Sequence, residues 1–366
     1  MAHIADIQRI LADLVGFDTT SHRSNLELIG YIESYLAQYG VTAHVLRSEQ
    51  QAKANLVATI GPNVAGGVVL SGHTDVVPVD GQDWHTPPFQ MTEPNGNLSG
   101  RGTADMKGFI AVALAYVPFL VEAKLTRPVH LAFSFDEEVG CGGVQEMLPF
   151  VKEHIQMPRL VIIGEPTSMQ VATAHKGQFV IKTRIIGQEA HSSRPDGGDN
   201  AVVIAAELIN VIDSMAKNIS KLGPFDDAFS PHHTTFNIGP IKGGSAFNII
   251  SNHCEFDWEF RFLPTDNGPQ IQQQYQQYID NKVLPRIRAK FPHCSVTNEM
   301  WAYLPPLKSD AGSDGESLAL LLAQRNDSTV IAFGTEGGYF QGLDFPVVVC
   351  GPGDIAQAHK PDEFVA

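Results

Sequence analysis

Short apolar runs separated by helical patterns dominate the two ends of the chain. Apolar residues recur at helical spacing from Ile4 to Leu14, so we expect the chain to begin with an amphipathic helix. A second, more apolar helical pattern covers residues 107–124. The runs typical of strands buried on both faces are 68–70, 129–133, 160–163, 329–333 and 347–350. This alternation of strands and helices predicts an α/β domain with a mixed, mostly parallel central sheet.

The middle of the chain has a different pattern. From about residue 178, apolar and polar positions alternate in the candidate strands, as in strands with one solvated face. Strands are predicted at 179–186, 234–241 and 254–262, and helices at 200–215 and 269–290. This order predicts a small α+β sandwich inserted into the larger domain. The predicted larger domain is 1–177 with 291–366, and the predicted insertion is 178–290.

The charge balance restricts the possible partners. The 366 residues include 40 acidic and 25 basic side chains, which gives a net charge of −15. A chain this acidic is repelled by the phosphates of nucleic acids and by anionic membrane surfaces. We therefore expect neither nucleic acid nor membrane among its partners.

Neither a membrane span nor a secretory signal is expected. The longest apolar stretch, 109–121, is interrupted by Pro118 and is shorter than the ~20 residues needed to span a bilayer. Charged residues interrupt the apolar positions of residues 1–15, so these residues lack the apolar core of a signal peptide. The four cysteines are scattered without a CxxC pair, which is typical of reduced thiols. The sequence thus predicts a cytoplasmic protein.

Histidine and carboxylate side chains follow several of the predicted strands. In open α/β sheets, ligands bind just outside the carboxyl ends of the strands, so we expect these groups at one edge of the sheet. They are His73 and Asp75 after run 68–70, Asp105 just before the helix at 107–124, Glu137 and Glu138 after run 129–133, Glu165 after run 160–163, and His359 after run 347–350.

Five of these residues form a candidate ligand set for two metal ions. Two imidazoles with three carboxylates suit a pair of Zn²⁺ ions that share one bridging carboxylate. The five residues are His73, Asp105, Glu138, Glu165 and His359. Asp75 would hold the imidazole of His73 by its other nitrogen. Glu137 would then be left as a general base beside the metal ions.

Each of these features alone has a commoner structural interpretation. A His-x-Asp sequence is usually a surface or turn feature, and a Glu-Glu pair is usually part of a solvated helix face. Here, however, Glu137-Glu138 ends an apolar strand and continues into residues 139–143, a glycine-rich segment in which a helix face is not expected. The convergence of separate segments on one edge favours a metal centre. No GxSxG or HExxH motif, and no GxGxxG after a strand, points to a different chemistry.

Five blocks of the chain resemble the signature blocks of the di-zinc amidohydrolases. This family includes acetylornithine deacetylases, succinyl-diaminopimelate desuccinylases, aminoacylases and glutamate carboxypeptidases. The blocks are 72–78, 100–108, 136–138, 164–167 and 358–361, in the family's order. The resemblance implies a zinc-peptidase-like catalytic domain split around an inserted ferredoxin-like lid that often dimerises. It also implies a cis peptide bond between Asp105 and Met106.

The resemblance also implies roles for the candidate residues. Asp105 would bridge the two zinc ions, and Glu137 would be the general base. One zinc site would be completed by His73 and Glu165, the other by Glu138 and His359. Co²⁺ could substitute for Zn²⁺ in both sites.

Two groups of lid residues resemble substrate contacts of the family. Block 187–193 resembles the one whose histidine, here His191, polarises the scissile carbonyl; the alternative is a turn residue before Pro195. Asn248 and Arg261 match lid positions that hold the α-carboxylate of the substrate. A guanidinium fork fits a carboxylate well, although Arg261 could equally form a structural ion pair.

Three further blocks look like those of the acetylornithine deacetylases within the family, namely 164–169, 174–177 and 350–353. Desuccinylases tend to carry Gly-Thr-Ser-Asp-Gly where this chain has residues 334–338, so Thr335, Glu336 and Gly337 are candidate substrate contacts. Glu336 could suit a cationic ornithine side chain or could cap the following helix.

The resemblance therefore implies zinc-dependent hydrolysis of N2-acetyl-L-ornithine to L-ornithine and acetate, in arginine biosynthesis, by a homodimer formed through the lid. The nearer alternative is a succinyl-diaminopimelate desuccinylase or another N-acyl amino acid amidohydrolase of the same family. The alternative from a different class is a catalytically silent binding protein on the same fold.

Overall fold

The computed structural model describes residues 4–366, so residues 1–3 of the predicted larger domain lie outside the described residues. The α-helices within 4–366 are α1 (Ile4–Val15), α2 (Leu26–Gln38), α3 (Lys107–Glu122), α4 (Gly142–His154), α5 (Ala201–Leu222), α6 (Gly268–Tyr278), α7 (Leu284–Lys290), α8 (Asp314–Ala323) and α9 (Gly337–Gln341). The strands are β1 (Ala43–Arg47), β2 (Ala54–Ile60), β3 (Val68–His73), β4 (Leu98–Ser99), β5 (Val129–Ser134), β6 (Leu160–Ile163), β7 (Val171–His175), β8 (Gly177–Ile186), β9 (Ala190–His191), β10 (Thr235–Gly243), β11 (Ile249–Ile250), β12 (His253–Phe262), β13 (Ser295–Leu304), β14 (Ser328–Ile331), β15 (Val347–Val349) and β16 (Phe364–Val365).

The chain divides into two compact units. The first comprises the chain up to Ala174, Leu307–Ile331 and Thr335–Ala366. The second comprises His175–Pro306 and Ala332–Gly334. The larger unit is therefore discontinuous in sequence.

An eight-stranded sheet lies at the centre of the first unit, in the order β1-β2-β5-β3-β6-β15-β7-β14. Its middle strands β5, β3, β6 and β15 run parallel, whereas β1, β2 and β7 pair with their neighbours in antiparallel fashion. The apolar faces of the first three helices supply Leu14, Ile29 and Leu114 to one core with Leu56 and Leu131 of the sheet. The predicted α/β class with a mixed, mainly parallel central sheet is confirmed.

One predicted buried strand is at the edge of this sheet instead. β14 covers Ser328–Ile331 rather than 329–333, and only one side of it has a neighbouring strand. Ser328 and Thr329 are exposed, so the prediction of a strand buried on both faces is wrong here. A short apolar run indicates a strand but not its place in the sheet, because that place depends on distant partners.

The second unit contains a four-stranded antiparallel sheet in the order β10-β12-β8-β13. With α5 after β8, and α6 and α7 before β13, the chain order is the β-α-β-β-α-β of the ferredoxin-like fold. Alternate side chains of β12 point inward, and Phe256, Trp258 and Phe260 are buried. They share one core with Leu208 of α5 and Tyr275 of α6.

The last strand of this unit lies beyond the predicted end of the insertion at residue 290. In β13, Ser295 is opposite Ile186 and Leu304 is opposite Gln178 of β8. The local pattern could not assign β13 to this sheet, because its partner β8 lies far earlier in the chain. The second unit therefore extends to Pro306.

Two further observations concern the whole described chain. Among residues 4–366, no helix is both long and apolar enough to cross a membrane. The cysteines Cys141, Cys254, Cys294 and Cys350 are buried free thiols, as expected from their scattered positions.

Candidate metal centre

Neighbouring parallel strands of the first unit bring the predicted ligands together. His73 is the last residue of β3, Glu138 lies in the turn after β5, and Glu165 follows β6. Because β5, β3 and β6 are adjacent and parallel, their carboxyl ends meet at one edge of the sheet. Asp105 reaches this edge from the loop before α3, and His359 reaches it from the segment after β15.

Asp105 lies between the two histidines. Its Oδ1 is 3.0 Å from Nε2 of His73, and its Oδ2 is 3.3 Å from Nε2 of His359. Each histidine also has a glutamate beside it. Oε1 of Glu165 is 3.7 Å from Nε2 of His73, and Oε2 of Glu138 is 3.0 Å from Nε2 of His359. The two oxygens of one carboxylate thus face two separate pairs of an imidazole and a carboxylate.

This donor set suits divalent cations. Ligand atoms of His73, Asp105 and Glu138 lie within 4.8 Å of one another, and so do those of His73, Glu137 and Glu165. Oε1 of Glu138 is buried and has no hydrogen-bond partner among residues 4–366. A buried carboxylate oxygen without a partner costs free energy unless a donor or a cation meets it. Imidazole and carboxylate are also ligands that Zn²⁺ takes in proteins.

The glutamates of the centre are held in an unfavourable environment for negative charge. Burial, together with the neighbouring carboxylates, raises the pKa of Glu137 and of Glu165 well above the usual range. The same causes raise the pKa of Glu138 to about 7. A cation among these groups would relieve both the desolvation and the repulsion.

The histidines of the centre are stabilised in the protonated form by the same carboxylates. Hydrogen bonds with Asp105 and Glu138 raise the pKa of His359 to about 10. Burial alone would lower the pKa of His73, but hydrogen bonds with Asp105 and Asp75 outweigh burial and raise it well above the usual range. At neutral pH these protons occupy the nitrogens that a metal ion would take.

Asp75 supports the centre through two different groups. Nδ1 of His73 donates to the main-chain oxygen of Asp75 at 2.9 Å and lies 3.6 Å from its Oδ1. The main-chain oxygen, rather than the expected carboxylate, is therefore the nearer partner of the imidazole. The carboxylate accepts hydrogen bonds from the N–H groups of Glu137 and Glu138 at 3.1 and 3.3 Å, and from the hydroxyl of Ser21 at 2.8 Å. It thereby holds the turn that carries the predicted general base.

Glu137 lies in a turn that is fixed on both sides. Asp136 before it has a positive φ of 54°, and its carboxylate forms a buried ion pair with Lys53. Sγ of Cys141 lies 3.6 Å from Oε1 of Glu137, within reach of an S–H···O hydrogen bond. Ser21 and Lys53 could not be recognised from the sequence, because Ser21 lies 54 positions from Asp75 and Lys53 lies 83 positions from Asp136.

The peptide bond between Asp105 and Met106 is cis, so this expectation is confirmed. Met106 is buried, and its sulfur lies 3.4 Å from the main-chain nitrogen of His73. The loop of one predicted ligand therefore packs directly against the strand of another.

The predicted lid residues belong to the second unit. His191 lies in β9 and is exposed, with Nδ1 2.7 Å from the hydroxyl of Ser193. The main-chain oxygen of Asn248 accepts a hydrogen bond from Ser192 at 3.0 Å, so Asn248 and the His191 segment are neighbours. Arg261 lies on β12 and contacts Glu259 at 3.4 Å, which is the ion pair considered as the alternative for it.

Residues 335–337 lie at the start of α9 in the first unit, with Gly337 as the first residue of the helix. Oγ1 of Thr335 accepts a hydrogen bond from the N–H of Gly337 at 3.0 Å, whereas the side chain of Glu336 makes no capping hydrogen bond. The carboxyl group of Glu336 is buried and accepts hydrogen bonds from the hydroxyls of Ser134 and Ser71. Burial raises its pKa to about 7. Of the two roles considered for Glu336, the helix cap is wrong.

Known proteins resemble this chain in sequence and in fold. The family profile described as Peptidase family M20/M25/M40 matches residues 69–366. An acetylornithine deacetylase of Photorhabdus laumondii is 35% identical over 349 residues, which are 95% of this chain and 88% of that protein. An acetylornithine deacetylase of Proteus mirabilis is 34% identical over 352 residues, which are 95% of this chain and 87% of that protein. The solved structure of an M20 family metallo-carboxypeptidase from Sulfolobus solfataricus has a TM-score of 0.77 at 17% identity and covers 98% of this chain and 94% of that chain. This chain belongs to peptidase family M20/M25/M40 and is a metal-dependent hydrolase.

Proposed function

We propose that this protein hydrolyses the amide bond of N2-acetyl-L-ornithine, giving L-ornithine and acetate, with two zinc ions held on either side of Asp105. The position of Asp105 carries this proposal, because its two oxygens face His73 and His359 separately. A carboxylate shared between two metal ions is a common arrangement in two-metal hydrolytic sites. Acetylornithine deacetylases at 35% and 34% identity support the choice of substrate.

Each zinc ion would have one imidazole and one glutamate in addition to the shared aspartate. His73 and Glu165 would complete the site at Oδ1 of Asp105, and His359 and Glu138 would complete the site at Oδ2. When bound, the ions supply Lewis acidity, which lowers the pKa of an attached water towards ~7 and polarises the acyl carbonyl. Co²⁺ would fit the same nitrogen and oxygen donors.

Glu137 would move the proton that the hydrolysis requires. Its carboxylate takes a proton from the attacking water while the water oxygen bonds to the acetyl carbon. It then gives that proton to the ornithine nitrogen as the C–N bond breaks, which releases the amine and acetic acid. The acid loses its remaining proton to the amine, so the products are acetate and an ammonium group. Burial already raises the pKa of Glu137, and this is the direction that a base working near neutral pH needs.

The other predicted residues would bind the substrate. His191 would polarise the acetyl carbonyl, and Asn248 and Arg261 would hold the α-carboxylate, for which a guanidinium fork has matching geometry. Residues 335–337 would lie beside the ornithine side chain, with the carboxyl of Glu336 as the group of opposite charge.

We further propose that the second unit, which contains the predicted insertion 178–290, acts as the lid, that two copies associate through it, and that the enzyme works in the cytoplasm in arginine biosynthesis. Exposed apolar side chains in the second unit support an interface there, since Phe247 is fully exposed and Val203 is 64% exposed. Analytical ultracentrifugation tests this part of the proposal. A sedimentation coefficient of a monomer at micromolar concentration would contradict it.

The experiment that tests the proposed reaction is acetate release by chelator-stripped protein, with and without added Zn²⁺. N2-acetyl-L-ornithine is the substrate, and succinate release from N-succinyl-LL-diaminopimelate is measured in parallel. We expect zinc-restored turnover of the acetyl compound alone. Turnover of the succinyl compound alone would instead identify a desuccinylase. A lack of turnover of either compound, with two zinc ions bound, would favour a silent binding protein on this fold.

The base assignment is tested by Glu137→Gln, with Glu153→Gln on the exposed side of α4 as the matched control. The Glu137 variant should retain both zinc ions and lose ~10²–10⁴-fold in kcat, the usual contribution of a general base. The control should match the unsubstituted protein. A Glu137→Gln variant with full activity would remove Glu137 from the mechanism.

A further inference from the structure

Arg101 and Glu363 form an ion pair in the first unit that has no part in the proposed reaction. Nη1 of Arg101 is 2.8 Å from Oε2 of Glu363, and both side chains are 1% exposed. A fully buried ion pair gives little stability relative to apolar residues, because desolvation offsets the attraction. The groups to which the pair is hydrogen-bonded therefore indicate what it does.

The second oxygen of Glu363 holds the main chain at Asp105. Oε1 accepts hydrogen bonds from the N–H of Ala104 at 2.9 Å and from the N–H of Asp105 at 3.0 Å. The main-chain oxygen of Glu363 also accepts from the N–H of Gly100 at 2.9 Å. The loop that presents the shared aspartate is thus attached to Glu363 at both of its ends.

Arg101 connects the same pair to the segment that carries His359. Nη1 donates to the main-chain oxygen of Lys360 at 3.2 Å, and Nη2 donates to Oε1 of Gln82 at 2.5 Å. Nε2 of Gln82 in turn donates to the main-chain oxygen of His359 at 2.9 Å. The guanidinium lies over the ring of Trp84, 5.0 Å from its centroid, which limits its movement.

The two histidines of the centre differ in how they are held. The side chain of His73 is 1% exposed, ends a central strand and donates to the main-chain oxygen of Asp75, so it is held without the Arg101–Glu363 pair. The side chain of His359 is 52% exposed and lies outside any helix or strand, with a positive φ of 63°. The placement of His359 against Asp105 therefore depends on main-chain hydrogen bonds, and the Arg101–Glu363 pair supplies them on both segments.

We propose that the Arg101–Glu363 pair is a positioning device that sets the placement of Asp105 relative to His359, and thereby the affinity of the centre for the metal ion at His359. This inference rests on the proposed two-metal centre. The ion at His73 depends on the pair less, because a strand in the core of the sheet already holds His73. Residues behind metal ligands commonly change metal affinity by ~10–100-fold when substituted.

The test is calorimetric titration of chelator-stripped protein with Zn²⁺, together with the visible absorption of the Co²⁺-loaded protein. Glu363→Gln keeps the shape of the side chain and an oxygen towards Asp105, but places an amide against Arg101. We expect two ions to bind to the unsubstituted protein. In Glu363→Gln the ion at His359, identified as the one missing from His359→Ala, should lose ~10–100-fold in affinity, and the ion at His73 should be retained. His359→Ala is the reference for a centre that lacks the second ion altogether.

Two further variants separate this role from a loss of folding. Gln82→Ala leaves the Arg101–Glu363 contact intact and removes the link to His359, together with the acceptor of Arg101 Nη2 and of Trp84 Nε1, so it should weaken the same ion. Asp257→Asn breaks a half-buried ion pair with Lys182 in the second unit and should leave both affinities unchanged. Excess Zn²⁺ should restore kcat in Glu363→Gln without changing KM.

The possible results distinguish this inference from the proposed function. If the unsubstituted protein binds two ions and Glu363→Gln and Gln82→Ala bind both ions equally well, the positioning role is wrong and the metal centre stands. Equal weakening of both ions would also overturn the positioning role. If the unsubstituted protein does not bind two ions, the proposed function fails together with this inference.

Discussion

Asp75→Asn tests whether a buried carboxylate organises the turn that carries the base. The carboxylate is 3% exposed and accepts hydrogen bonds from the main-chain N–H groups of Glu137 and Glu138 and from the hydroxyl of Ser21. Burial would raise the pKa of Asp75. The charge of His73 and the hydrogen bonds from His73, Ser21 and the main chain of Glu137 outweigh burial and lower this pKa. The group is therefore an anion in the folded protein.

The magnitude follows from counting hydrogen bonds. An asparagine amide has one oxygen, so either Oδ1 or Oδ2 becomes an NH₂ group that faces an N–H donor. The Ser21 hydroxyl can reverse and accept from this amide, but a main-chain N–H cannot. At least one hydrogen bond to a charged group is lost, which costs about 1.5–3 kcal/mol. Displacement of Glu137 should also lower kcat by about 10–100-fold, since each 1.4 kcal/mol of lost transition-state stabilisation is tenfold in rate.

The assay is urea unfolding of the zinc-free protein, followed by steady-state kinetics of the zinc-loaded protein. Asp213→Asn is the control, because its carboxylate is 49% exposed and its ion pair with Lys217 lies at the surface of α5. The control should change the free energy of unfolding by less than about 0.5 kcal/mol. The reasoning is refuted if Asp75→Asn behaves like this control in both stability and kcat.

Three further predictions concern the same centre. A methyl group at residue 164 would clash with the ring of Phe109, so Gly164→Ala should lower the free energy of unfolding by ~1–3 kcal/mol. Gly30→Ala is the control, because the space around it is open and the substitution should not be destabilising. Urea unfolding measures both variants. Zinc binding at pH 7 should release protons, because hydrogen bonds with Asp105 and Glu138 raise the pKa of His359 to about 10 and burial raises the pKa of Glu138 to about 7. Metal affinity should therefore rise with pH, and titrations in buffers of different ionisation enthalpy would disprove this if they gave no proton release. His359→Ala should bind one zinc ion by elemental analysis, and two would exclude His359 as a ligand.

The candidate ligands could be predicted because the relevant signal is local. His73 and Glu165 each follow their own apolar run, and the rule for carboxyl ends of parallel strands then brings them to one edge. Asp105 and His359 do not follow a run directly; their positions made them candidate ligands, but their separate roles depended on the blocks that resemble a known family. The sequence could not predict that the two oxygens of Asp105 face different histidines. This is visible only in the folded chain, where Oδ1 is 3.0 Å from His73 and Oδ2 is 3.3 Å from His359.

Residues that hold the ligands could not be predicted, because their partners are distant in sequence. Glu363 lies 258 positions from Asp105, and Ser21 lies 54 positions from Asp75. Neither residue belongs to a pattern that distinguishes it from a surface side chain. The same limitation explains why β13 could not be assigned to the sheet of the second unit. Its alternation fits a strand, but its partner β8 is not adjacent in the chain.

The central claim, that Asp105 is shared between two metal ions, is tested most directly by anomalous diffraction at the zinc edge from crystals of the zinc-loaded protein. We expect two anomalous peaks on opposite sides of the Asp105 carboxylate. One should lie about 2.0–2.2 Å from ligand atoms of His73 and Glu165, and the other at that distance from His359 and Glu138. A single peak, or a pair of peaks away from Asp105, would contradict the two-metal centre.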